Sequence, residues 1–100
     1  DGLSILDSPE YSSNNHWINV LQIDSKLFKF DKNQLMKYLK DNRIQTRPIW
    51  KLNHLQTPFK DFENYKIDNA HKLVDYCLCL PSSVNLTSSD LERIAEALRK

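Results

Sequence analysis

Two short signatures, Asp31-x-x-Gln34 and Thr87-x-x-Asp90, constrain this chain more than any other feature, because each reads as the reciprocal cap that starts a helix. After the first, Leu35, Tyr38 and Leu39 fall at helical spacing and predict a helix over about residues 32–42. After the second, Leu91, Ile94, Ala95 and Leu98 form the apolar stripe of a terminal helix that ends on the cationic pair Arg99-Lys100. Both stripes need a surface to cover. Residues 16–23, rich in β-branched and aromatic side chains, predict one strand, which the turn-prone Asp24-Ser25-Lys26 ends. Residues 44–49 predict a second, with Pro48 placing it at an edge or at its own end. The apolar run 77–80, stopped by Pro81, predicts a third. Asn69 can cap a further helix on which Ala70, Leu73, Val74 and Cys77 share a face. Residues 50–68 are left irregular, the length of a binding element, an interface or a hidden short helix. The expected fold is α+β: a small two-layer sandwich with an about three-stranded sheet and helices mainly on one face.

One hundred residues make one small domain, able to bury about 60–65% of its unfolded surface. A single glycine argues against a glycine-rich phosphate loop. With 14 Lys+Arg against 13 Asp+Glu, a net charge of +1 supplies little field for a nucleic-acid backbone. There is no apolar run of membrane-spanning length and no signal-peptide order, so neither nucleic acid nor membrane is an expected partner and a cytoplasmic location is. Cys77 and Cys79 are expected to point to opposite faces of a strand and to remain buried, unbridged thiols. As a metal pair they lack further ligands, His71 being the nearby candidate. Asn85-Leu86-Thr87 matches a glycosylation sequon, but nothing indicates secretion. Residues 1–15 are polar and rich in breakers, and the chain starts without methionine. They read as the lead from a missing large domain, with residues 16–100 forming the domain proper.

Functional chemistry concentrates in Thr46-Arg47-Pro48-Ile49-Trp50-Lys51-Leu52-Asn53-His54-Leu55-Gln56. Pro48 biases Arg47 toward an extended conformation at the end of a strand. There an arginine fork can take phosphate or carboxylate, Asn53 and His54 can donate and accept, and Trp50 offers a flat face for a sugar or a ring. The plain alternative gives Arg47 a surface acid, Trp50 a place in the core and His54 an ordinary loop position.

These residues, together with His16-Trp17-Ile18-Asn19-Val20, Asn69-Ala70, Leu78-Cys79-Leu80-Pro81-Ser82-Ser83 and Leu86-Thr87-x-x-Asp90, resemble the C-terminal domain of the DegT/DnrJ/EryC1/StrS nucleotide-sugar aminotransferases. The resemblance covers about residues 14–100, and residues 46–56 look most like enzymes of the bacillosamine and legionaminic acid type, which aminate C4 of a UDP-linked 4-keto-6-deoxy sugar. It implies a pyridoxal-phosphate-dependent transaminase, usually a homodimer, serving cell-surface glycan biosynthesis with glutamate as donor. No lysine here lies in a sequence resembling the family's Schiff-base motif. The chain alone is therefore expected to hold no cofactor and to be inactive, with no catalytic residue of its own. The resemblance gives Arg47, Trp50, Asn53 and His54 roles in binding the nucleotide sugar. Two other readings are compatible with the same elements: a free-standing ferredoxin-like ligand-binding module, and a protein-interaction domain anchored by Trp50, Phe59, Phe62 and Tyr65.

Overall fold

The computed structural model describes residues 1–99; Lys100, expected in the terminal helix, lies outside them. Four strands, β1 (Leu3–Ile5), β2 (Asn19–Ile23), β3 (Arg47–Pro48) and β4 (Cys77–Leu80), form one sheet in the order β1-β2-β4-β3, with every neighbouring pair antiparallel. Three helices, α1 (Lys32–Asp41), α2 (Asp68–Tyr76) and α3 (Ser88–Arg99), complete the α+β sandwich.

Register decides which side chains are buried. Leu21 stands opposite Leu78, while Leu3 stands opposite Ile23. Strand side chains alternate with period two, so these residues share one face. Leu21, Ile23 and Leu78 are buried there with Leu35 and Leu39 of α1 and with Ile44, and Ile94, Ala97 and Leu98 of α3 pack against them. Leu91, expected in that stripe, is exposed, and Ala97 lies on the core instead.

Both capping boxes form. Asp31 accepts from the Gln34 N–H while the Gln34 side chain accepts from the Asp31 N–H, each at 2.9 Å. Thr87 and Asp90 exchange the equivalent bonds at 3.0 and 3.2 Å, and the Thr87 hydroxyl also donates to the Asp90 carboxylate at 2.7 Å. Helix α1 ends in a reversed turn in which the Ile44 N–H reaches the Leu39 carbonyl at 2.8 Å and the Arg43 N–H that of Lys40 at 2.9 Å. That pattern requires a left-handed residue, here Arg43 at φ 58°, and it drops Ile44 into the core beside Leu39.

Several expectations need correction. The sheet has four strands, not three, because residues 3–5 of the expected polar lead pair with β2. Glycine is required just before them: Gly2 has φ 85°, and a Cβ would stand 2.7 Å from the Phe28 nitrogen. Strand β2 starts at Asn19 and not at residue 16, since Asn14 and Asn15 side chains capture the N–H groups of His16 and Trp17. Helix α2 starts at Asp68 with no side-chain cap, so Asn69 lies inside it, and Cys77 begins β4. Cys77 and Cys79 pair with Gln22 and Val20 and therefore share a face, as residues two apart on a strand must; both are free thiols, Cys77 fully buried. Pro48 does lie on an edge strand, β3.

Two outcomes follow from this packing. Leu39→Ala should lower the unfolding free energy by about 2–5 kcal/mol in urea titrations, whereas Val84→Ala, at a residue 99% exposed, should stay within about 0.5 kcal/mol of the parent. Hydrogen bonds from the Thr87 hydroxyl, then from its backbone, hold the Asp90 carboxyl below its ordinary pKa, with Arg93 adding to the effect. The folded pKa is thus depressed relative to the unfolded one, so the stabilisation is complete above the ordinary carboxylate range and disappears as pH falls through the folded value. Melting temperature against pH should therefore be flatter on the acid side for Asp90→Asn than for the parent.

Candidate substrate cleft

A cleft of 560 Å³ opens where β3, the end of β4 and the start of α3 meet. Each wall has a local cause. The reversed turn after α1 projects Arg43, and four residues later β3 carries Arg47. Leu80 leads into Pro81-Ser82-Ser83, where the Ser82 hydroxyl donates to the Trp17 carbonyl at 2.6 Å and ties the entry to β2 against the exit from β4. From α3, Arg93 reaches across to donate through Nη2 to the carbonyls of Asn42 and Arg43, at 2.8 and 2.9 Å. A guanidinium at these carbonyls suits the negative end of α1 and fixes the turn that bears Arg43.

Three arginines, Arg43, Arg47 and Arg93, are therefore among the residues that line the cleft, against one acidic residue, Asp90. Asp90 is already engaged by Thr87. Among the described residues the guanidinium groups of Arg43 and Arg47 have no hydrogen-bond or ion-pair partner. Beside them the rings of Trp17 and Trp50 meet edge to face, with centroids 6.0 Å apart and planes at 67°. Both tryptophans are 66% exposed, so the pair leaves ring surface open at the rim. Free arginine forks next to open aromatic faces suit an anionic ligand that also carries a ring.

The four residues singled out from sequence divide into two groups. Arg47 and Trp50 line the cleft, whereas Asn53 and His54 sit on a short 3-10 turn (Asn53–Leu55) outside its lining. Asn53 accepts from the Gln56 amide at 3.2 Å, and that amide also reaches the Lys51 carbonyl at 2.9 Å, so this part of the run holds its own turn together. His54 faces His71 of α2, with Nε2 atoms 3.2 Å apart. Trp17, Arg43 and Arg93 were not anticipated. Trp17 carried only a strand signal, and Arg43 and Arg93 reach the cleft through tertiary contacts across about fifty residues of chain.

Cys79 also borders the cleft. Burial pushes the thiols of Cys77 and Cys79 above their usual range, which leaves little thiolate and argues against a nucleophilic role. The lining contains no lysine, and the single glycine, Gly2, packs against Phe28. Pyridoxal phosphate would find here neither an amine for its aldehyde nor a glycine-rich cradle for its phosphate, so these residues do not fit that cofactor on their own. No helix among the described residues is long and apolar enough to cross a membrane.

EpsN of Bacillus subtilis (strain 168), assigned as a pyridoxal phosphate-dependent aminotransferase, is 29% identical over 104 residues, covering 98% of this chain and 26% of EpsN. Among solved structures, DesI in the presence of its TDP-sugar product superimposes with a TM-score of 0.83 at 23% identity, over 98% of this chain and 25% of DesI. The aminotransferase TlmJ from Streptoalloteichus hindustanus gives 0.80 at 20% identity, over 99% of this chain and 26% of TlmJ. The sugar aminotransferase CalS13 from Micromonospora echinospora gives 0.80 at 17% identity, over 99% and 25%. At these identities the structures show a shared fold, and the chain spans only 25–26% of the length of each of these proteins. The sequence profile of the DegT/DnrJ/EryC1/StrS aminotransferase family matches residues 2–99, and the chain belongs to that family.

Proposed function

We propose that this chain is the substrate-side domain of a pyridoxal-phosphate-dependent aminotransferase that transfers an amino group, with glutamate as donor, to a nucleotide-linked keto-deoxy sugar. The observation that carries this reading is the pair of unpartnered guanidinium groups, Arg43 and Arg47, beside the open Trp17–Trp50 edge in a chain of an aminotransferase family. A nucleotide sugar has the matching chemistry, a diphosphate between two rings. One structural neighbour, DesI, was solved with a TDP-sugar product, which supports the same substrate class.

In this reading Arg47 takes the diphosphate charge bidentately and Trp50 covers a ring of the substrate, while Asn53 and His54, outside the lining, belong to the turn that follows Trp50. The cofactor, held by a lysine in a separate large domain, supplies the electron sink for amino transfer. This chain binds and orients. Alone it is inactive. The exposed rings of Trp50, Phe59, Phe62 and Tyr65 suit burial against that large domain or against the second subunit of a homodimer. The resemblance to bacillosamine- and legionaminic-type enzymes points to cytoplasmic synthesis of a sugar for cell-surface glycans.

Charge-assisted hydrogen bonds of this kind contribute about 1.5–3 kcal/mol, so in the whole protein Arg47→Ala should raise the KM for the nucleotide sugar about tenfold or more. The absorbance of the bound cofactor should not change. Wild-type KM in that variant would remove Arg47 from the site. Tight binding of a nucleotide or amino acid by the isolated chain would favour the free-standing module instead.

A further inference from the structure

His54 and His71 meet in a way that the cleft does not use. They lie seventeen positions apart, one on the 3-10 turn and one on α2, both half-buried, with their Nε2 atoms 3.2 Å apart. The ring centroids are 5.0 Å apart and the planes cross at 71°. We propose that this pair is a two-imidazole clip for a divalent transition-metal ion.

The geometry carries the proposal. Imidazole nitrogens bind zinc at about 2.0–2.1 Å, so two Nε2 atoms at this separation subtend roughly 100° at a shared ion, between the octahedral and tetrahedral values. Rings aimed at such an ion would have centroids about 5.0 Å apart, as found, whereas a linear N–H···N bond along both ring axes would hold them about 5.5 Å apart. The element follows from the donors: neutral imidazole selects zinc, copper or nickel over magnesium or calcium. Among the described residues no third His, Cys, Asp or Glu completes a cage, so water fills the remaining positions and the site is open. An ion held there would pin the segment that follows Trp50 onto α2. Proton and metal compete for the same lone pairs, so affinity falls on acidification.

Zinc chloride titrated calorimetrically into the chain should saturate at one equivalent. Loss of even an indirect partner of a metal ligand weakens binding about 10–100-fold, so His54→Gln and His71→Gln should each cost at least about tenfold. His16→Gln, at an exposed histidine outside the pair, should bind as the parent does. Copper(II) at one equivalent gives a readout that needs no variant: its electron paramagnetic resonance spectrum should show coupling to two imidazole nitrogens. Absent zinc saturation, binding that survives either glutamine variant, or a copper spectrum without two-nitrogen coupling would overturn the clip and leave an ordinary histidine hydrogen bond.

Discussion

The antiparallel pairing of β2 with β4, with Leu21 set opposite Leu78, is the constraint on which the rest of this structure depends. Strand β4 lies between β2 and β3, so the sheet is assembled on it. A slip of one residue in that register would put Leu78 on the opposite face from Leu21 and Ile23 and break up the surface that α1 and α3 cover. The same face anchors Ile44 through the reversed turn after α1. Because Ile44 is fixed, Arg43 before it and Arg47 after it have little freedom in where they emerge. The cleft inherits its geometry from the core.

Electrostatics then give the cleft its character. The chain as a whole is nearly neutral, yet three arginines line the cleft and its single acidic residue, Asp90, is already engaged by Thr87. Arg93 has a second task, since its bonds to the Asn42 and Arg43 carbonyls join α3 to the end of α1. Such a cleft, flanked by two tryptophans at its rim, is open, and the chain spans only about a quarter of the length of the relatives it matches.

What could be read in the sequence was what local physics decides. Asp31 with Gln34 and Thr87 with Asp90 announced two helix starts because each box closes within four residues. Pro48 announced an edge for a similar reason. Strand β1 was illegible: Leu3-Ser4-Ile5 is too short to show alternation, and only its pairing with β2 makes it a strand. Helix α2 starts two residues earlier than a cap at Asn69 implies, because no side chain caps it. The opposite-face expectation for Cys77 and Cys79 fails because residues two apart on a strand share one face. At the site, Arg47 and Trp50 were legible from one Pro-bounded run. Trp17, Arg43 and Arg93 were not, because they come together only when β2, α1 and α3 have packed. The meeting of His54 with His71 likewise depends on how the irregular segment folds onto α2.

The most direct measurement of the central claim is a crystal structure of the whole protein with a nucleotide sugar bound. A phosphate oxygen should lie within hydrogen-bonding distance of the Arg47 guanidinium, with a ring of the ligand against Trp50. A ligand bound elsewhere, with Arg47 paired to a carboxylate of the protein and the cleft closed over by it, would contradict that claim.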